Sequence, residues 1–190
     1  MSLPALTVKP GAVALMALMA ATRFHHFGTS FALPDASLAI FFLAGLYLGG
    51  GYLFAVLLLE AGLIDYLAIT KLGVSDFCVS NAYGFLIPTY AAMWLGGTWC
   101  RQFENLKLST LAKRFAALVV ATSSAFLMSN GSFYWLSGRY PDPNWTQYLE
   151  RFANYYPAYM GNTLLYVVVI FAAVNIFKSL SAHKTSQQTV

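Results

Sequence analysis

The chain is built of apolar runs separated by short polar breaks. Six runs predict helices: Gly11–Phe24, Ala36–Gly49, Gly51–Thr70, Gly84–Cys100, Phe115–Met128 and Pro157–Phe177. They are apolar on every side and lack the alternation of a barrel strand, which is the pattern of helices solvated by lipid. Pro10 suits a first helical turn. Leu33-Pro34-Asp35 reads as a turn, and Asp35 or Ser37 can cap the next helix. From Ala36 to Thr70 a single helix would run about 52 Å, longer than a hydrocarbon core of about 30 Å. Gly49-Gly50-Gly51 is therefore predicted to break it, leaving a short second helix. Asn130–Tyr156 reads as the longest polar connection, with a turn at Pro141 and Pro143. It would carry a short amphipathic surface helix from Asn144 to Asn154. The expected architecture is one all-α, six-helix transmembrane domain over residues 1–180, followed by a polar tail, 181–190.

Composition supports this picture. The chain is 58% hydrophobic and 9% charged, with a mean hydropathy of +0.60. Soluble domains carry about 25% charged residues, so a water-facing surface could not be covered here. The first run has Lys9 as its one preceding base and no clean small-x-small site before Arg23, so it is expected to be a retained helix and not a cleaved signal. Its Ala17 and Ala21 form a small-xxx-small pair that can admit another helix or can be chance in an alanine-rich run.

Charge sets the expected orientation. Lys9, Arg101, Lys107, Lys113, Arg114, Lys178 and Lys184 share one side with Glu104, seven bases against one acid. The other side mixes Arg23, Lys71, Arg139 and Arg151 with Asp35, Asp65, Asp76, Asp142 and Glu150. The positive-inside rule places both termini in the cytoplasm. The net charge of +4 is then orienting charge, and no basic tract suggests nucleic acid.

Candidate chemistry gathers on the opposite, outward side. Ser75-Asp76-Phe77-Cys78-Val79-Ser80-Asn81-Ala82-Tyr83 is a polar break carrying a thiol, an acid, an amide and a phenol. Cys78 reads either as a small hydrophobe or as a soft metal ligand. A disulfide to Cys100 is not expected, because the two would face opposite sides. Arg23-Phe24-His25-His26-Phe27 ends the first run, and adjacent histidines point about 100° apart on a helix, so one faces away. Glu60 and Asp65 are carboxylates inside an apolar run, where they are costly and usually face a partner or cavity. The aromatics Tyr134, Trp135, Tyr140, Trp145, Tyr155, Tyr156 and Tyr159 read as an interfacial belt or as a lid over a planar ligand. There is no phosphate-binding G-x-x-x-x-G-K-[ST], no C-x-x-C, no H-E-x-x-H and no G-x-S-x-G.

Arg23-Phe24-His25-His26-Phe27 and Asp76-Phe77-Cys78-Val79-Ser80-Asn81-Ala82-Tyr83, with the length and six runs, resemble the BtuM family of small bacterial cobalamin transporters. These are similar in fold to the substrate-binding S-components of energy-coupling-factor transporters. The resemblance implies an S-component-like bundle in the bacterial inner membrane that takes up cobalamin. It implies that Cys78 coordinates cobalt axially and that His26, Asp65, Tyr83 and Arg151 line or brace the pocket. His25, Asn81 and Asp76 join them by proximity. A thiolate donates strongly to a macrocyclic metal, and Arg151 would favour that thiolate if close. Axial binding would displace water, cyanide or the nucleotide base, so assisted loss of cyanide from cyanocobalamin is a further expectation. Helix-one small residues are the expected dock for a shared coupling module, and Ala17/Ala21 fits that pattern alone, so the chain can also act without one. Competing readings are an S-component-like transporter for another vitamin, a haem protein using His25 or His26, and a purely structural membrane subunit.

Overall fold

The computed structural model describes residues 9–24, 33–103 and 105–187, the side chains only as far as residue 181. These residues are all-helical, without strands. Six α-helices occur in order: α1 Pro10–Arg23, α2 Ser37–Tyr47, α3 Gly51–Leu72, α4 Leu86–Cys100, α5 Leu108–Leu136 and α6 Trp145–Gln187, with a 3-10 segment, Asn81–Phe85, before α4.

Of these, α3, α5 and the Trp145–Ser181 part of α6 are long and apolar enough to cross a membrane. Their apolar side chains are also largely uncovered. In the most apolar stretch of α6, 11% is buried inside the molecule, and Leu165, Val168, Val169, Ile176 and Phe177 lie exposed. An uncovered band of this kind needs lipid, which marks a membrane protein.

The second helix is as short as the glycine triplet predicts. At 11 residues it rises about 16 Å. It can be short because it is shielded: Ala39, Ile40, Phe41, Leu43 and Ala44 are 0% exposed. It packs chiefly on α4, which packs in turn on α5. Close approach comes from glycine. A Cβ on Gly97 would strike the Phe42 carbonyl, and one on Gly45 the Trp94 carbonyl, so the two backbones touch where small residues permit it. Ala17 and Ala21, by contrast, are exposed on the outer face of α1.

Two sequence expectations are corrected. The expected long connection shrinks to 137–144, because α5 continues to Leu136 and α6 begins at Trp145. Ser129 and Asn130 look like a loop only when read without a cavity to face. The amphipathic segment and the sixth run also join into one helix through Pro157. Proline forfeits one backbone hydrogen bond there, and packing holds the helix together: Phe152 stacks on Tyr156, and Tyr156 and Tyr159 both meet the Phe126 ring edge-on. Tyr134 closes the α5–α6 turn, its hydroxyl donating to Gln147 at 2.7 Å and accepting from the Asn144 amide at 2.8 Å.

Candidate functional site

Arg23 ends α1 and is 2% exposed. A guanidinium cannot be buried unpaired, and here three elements converge on it. Its Nε and Nη2 donate to the two Asp65 carboxylate oxygens at 2.8 and 2.6 Å, a bidentate pair between α1 and α3. Nη1 donates to Ser37 Oγ at 2.8 Å and to Tyr90 OH at 2.7 Å, and pairs with Asp35 at 3.3 Å. Nε also reaches the Ala61 carbonyl at 3.2 Å. The starts of α2 and α4 are thereby tied to the ends of α1 and α3. Tyr83 extends the network by donating to Asp65 Oδ2 at 2.6 Å.

This network floors a cavity of about 510 Å³, within the usual range for small-molecule sites. Tyr90, Phe126, Phe133, Tyr155 and Tyr159 provide aromatic walls, and Ser129, Asn130 and Asn162 add hydrogen-bonding groups. Cys78 also lines the cavity and is itself exposed, which puts it at the mouth. The loop holding it is pinned at Phe77, whose ring meets Phe133 at 5.6 Å and lies under the Arg139 guanidinium at 5.0 Å. Ser80 then starts the 3-10 segment, its Oγ accepting from the Ala82 amide.

The thiol's electrostatics run against one expectation. Partial burial, and secondarily the Asp65 charge, raise the Cys78 pKa above the ordinary thiol value; Arg139 and Arg151 oppose this without overcoming it. Before it meets a ligand the group is therefore a neutral thiol at neutral pH, and a cation near it does not keep it deprotonated.

Asp65, Cys78 and Tyr83 thus come together. Asp76 and Asn81 are exposed outside the cavity lining. Arg151 stands behind the wall, its guanidinium 4.7 Å from the Tyr155 ring centroid, 5.1 Å from Tyr140 and 5.9 Å from Phe133; it braces Phe133 and Tyr155 and does not line the cavity. His25 and His26 lie outside the described residues. Cys100 is buried and unpaired, far from Cys78 along α4. Sequence reading missed Arg23 as the hub and Tyr90, Asn130 and Asn162 as lining, while Tyr155 and Tyr159, among the aromatics read as a belt or a lid, do line the cavity. An arginine at the end of an apolar run, with two aspartates flanking later runs, was the available signal.

Among the described residues no three His, Cys, Asp or Glu side chains converge on one point. Comparison of the chain with known proteins returns no matching family model and no matching curated relative.

Proposed function

We propose that this chain is a multi-pass inner-membrane uptake protein, a six-helix transmembrane bundle with both termini cytoplasmic, and that it binds cobalamin in the Cys78 cavity. The observation that carries the reading is an exposed thiol at the mouth of an aromatic-walled cavity whose floor cation, Arg23, is already paired with Asp65 and Asp35. The aromatic rings suit the faces of a flat macrocycle. Its neutral rim amides would meet Asn130, Asn162 and Ser129, which donate and accept without bringing net charge. Cobalt is the substrate's metal, and Cys78 is its axial protein ligand.

Binding is a ligand exchange. The thiol loses its proton to solvent, the sulfur donates an electron pair to cobalt, and the displaced ligand leaves with its own pair. Cobalt keeps its oxidation state, and cyanide released from cyanocobalamin picks up a proton in water. Energy for release to the cytoplasm comes from a shared coupling module docked at the exposed Ala17/Ala21 face, or the chain works alone.

The test is the absorbance spectrum of purified protein mixed with cyanocobalamin, for wild type and Cys78→Ala. A cobalt spectrum that shifts with wild type and not with the variant is expected. A spectrum identical to free cyanocobalamin would remove the thiolate–cobalt bond. Normal retention of ligand by Cys78→Ala would point to an S-component-like transporter in which the thiol is incidental.

A further inference from the structure

At the opposite end of the bundle lies a second cavity, of about 330 Å³. It is bounded by the end of α2 (Tyr47), the end of α4 (Arg101), the first turns of α5 (Arg114) and the later part of α6 (Phe171, Asn175, Lys178). Three of its lining groups are cations. No described lining residue is an acid, and among the described residues the salt bridges are those of Arg23 at the other end.

The cations are nonetheless placed. The Arg114 guanidinium sits 5.3 Å from the Phe171 ring centroid and donates through Nη2 to the Phe103 carbonyl. Its Nε is buried without a hydrogen-bond partner. Lys178 Nζ lies 5.5 Å from the Tyr47 ring centroid. Arg101 lies against Gly49, whose φ is +61°, and a side chain at that position would occupy the guanidinium's space. The turn that breaks α2 from α3 therefore also clears room for Arg101. Cation–ring contacts of this kind orient a charge without neutralising it. Three like charges around one small cavity, one of them with a buried unmet donor, favour an anion that accepts several hydrogen bonds. A carboxylate offers two acceptor oxygens, whereas a phosphate offers more and suits three separate donors. The cavity also sits where the apolar run of α6 ends at Phe177 and Lys178 begins the polar stretch, the kind of boundary at which a spanning helix meets lipid headgroups.

We infer that this cavity is a phosphate-binding site, filled by the headgroup of an acidic phospholipid or by a free phosphate group from the same side of the membrane. A bound phosphate would bridge α2, α4, α5 and α6 at the end remote from Cys78, and would tie their ends together as Arg23 ties the other ends.

The experiment is thermal unfolding of delipidated protein in neutral detergent. Phosphatidylglycerol, a neutral diglyceride and inorganic phosphate are added separately to wild type, Arg101→Gln, Lys178→Gln and Arg114→Lys. Protection of wild type by phosphatidylglycerol but not by inorganic phosphate or diglyceride would assign the site to a lipid headgroup; protection by inorganic phosphate as well would assign it to a free phosphate. In either case the two Gln variants should need about tenfold more ligand for half-maximal protection, and Arg114→Lys should be weakened while remaining protectable. Absence of phosphate-dependent protection in wild type, or unchanged ligand demand in both Gln variants, would overturn the inference. Arg101 and Lys178 are exposed and outside the Cys78 cavity, so the cobalamin spectrum serves as an independent control on folding and on the uptake reading.

Discussion

Arg23 and Arg114 occupy opposite ends of the same bundle and are treated in opposite ways. Arg23 is enclosed, and Asp65, Asp35, Ser37, Tyr90 and Ala61 satisfy it. Arg114 is half-buried, rests on an aromatic face, and keeps one buried donor unmet beside two further cations. A fully paired charge is structural: it holds α1, α2, α3 and α4 in register and leaves no unpaired cation on the cavity floor. A charge placed by rings and glycine, with no acid among the described residues that line its cavity, is the one for which a partner outside the chain is proposed. The two ends share a chemistry of arginine and differ in whether a described residue supplies the counter-ion.

The largest effect should come from breaking the paired end. Arg23→Leu removes the bidentate guanidinium from the buried Asp65 carboxylate and should cost about 3–5 kcal/mol, read as a large fall in thermal unfolding temperature in detergent. The double variant Arg23→Met with Asp65→Leu should recover much of that loss; failure to recover any would show that Asp35, Ser37 and Tyr90 depend on the guanidinium as much as Asp65 does. Tyr83→Phe removes one hydrogen bond to a carboxylate and should cost about 1–2 kcal/mol, while loosening the segment that follows Cys78.

A smaller effect concerns pH. Because the Cys78 pKa is raised, the proton is held more tightly in the folded state. The stability it contributes is present below the ordinary thiol pKa and is lost as pH rises through the folded one. Cobalt capture runs the other way: it releases that proton, so the apparent affinity for aquocobalamin should rise with pH by up to about tenfold per unit below the thiol pKa. A flat profile for wild type, matching Cys78→Ala, would break the assignment of the thiol as ligand. The smallest effect is expected at Glu60, whose Oε2 is buried without a hydrogen-bond partner. Glu60→Gln should change stability by less than about 1 kcal/mol or raise it slightly. A large loss there would mean that Glu60 has a role comparable to that of Asp65.

Much of the helical layout was legible before the structure. The α2–α3 break follows from Gly49 and Gly50, which take positive φ as the triplet suggests, and α1, α3 and α4 begin and end within a few residues of their apolar runs. The α5–α6 region was not legible in the same way. Local reading ends one run before Asn130 and starts another at Pro157, but α5 and α6 run through them because a cavity receives Asn130 and the Phe126 ring cluster flanks Pro157. At the site, Asp65, Cys78 and Tyr83 could be singled out by being polar in apolar surroundings. Their grouping with Tyr90 and Tyr159 could not, since an aromatic residue inside an apolar run looks the same whether it meets lipid or a cavity.

The sequence by itself determined that the chain is helical and needs lipid, because hydropathy and glycine placement act locally and require no partner. It also determined that charge is unequal between the two ends of the bundle. Only the tertiary structure decided which charges are neutralised. Arg23 lies 42 residues from Asp65 in the chain, and whether such groups meet depends on how helices pack side by side. The close α2–α4 contact at Gly45 and Gly97, and the joining of the first and third helices through one guanidinium, are packing outcomes of that kind. They make one end of the molecule a closed salt-bridge floor beneath a cavity and leave the other an open cluster of cations.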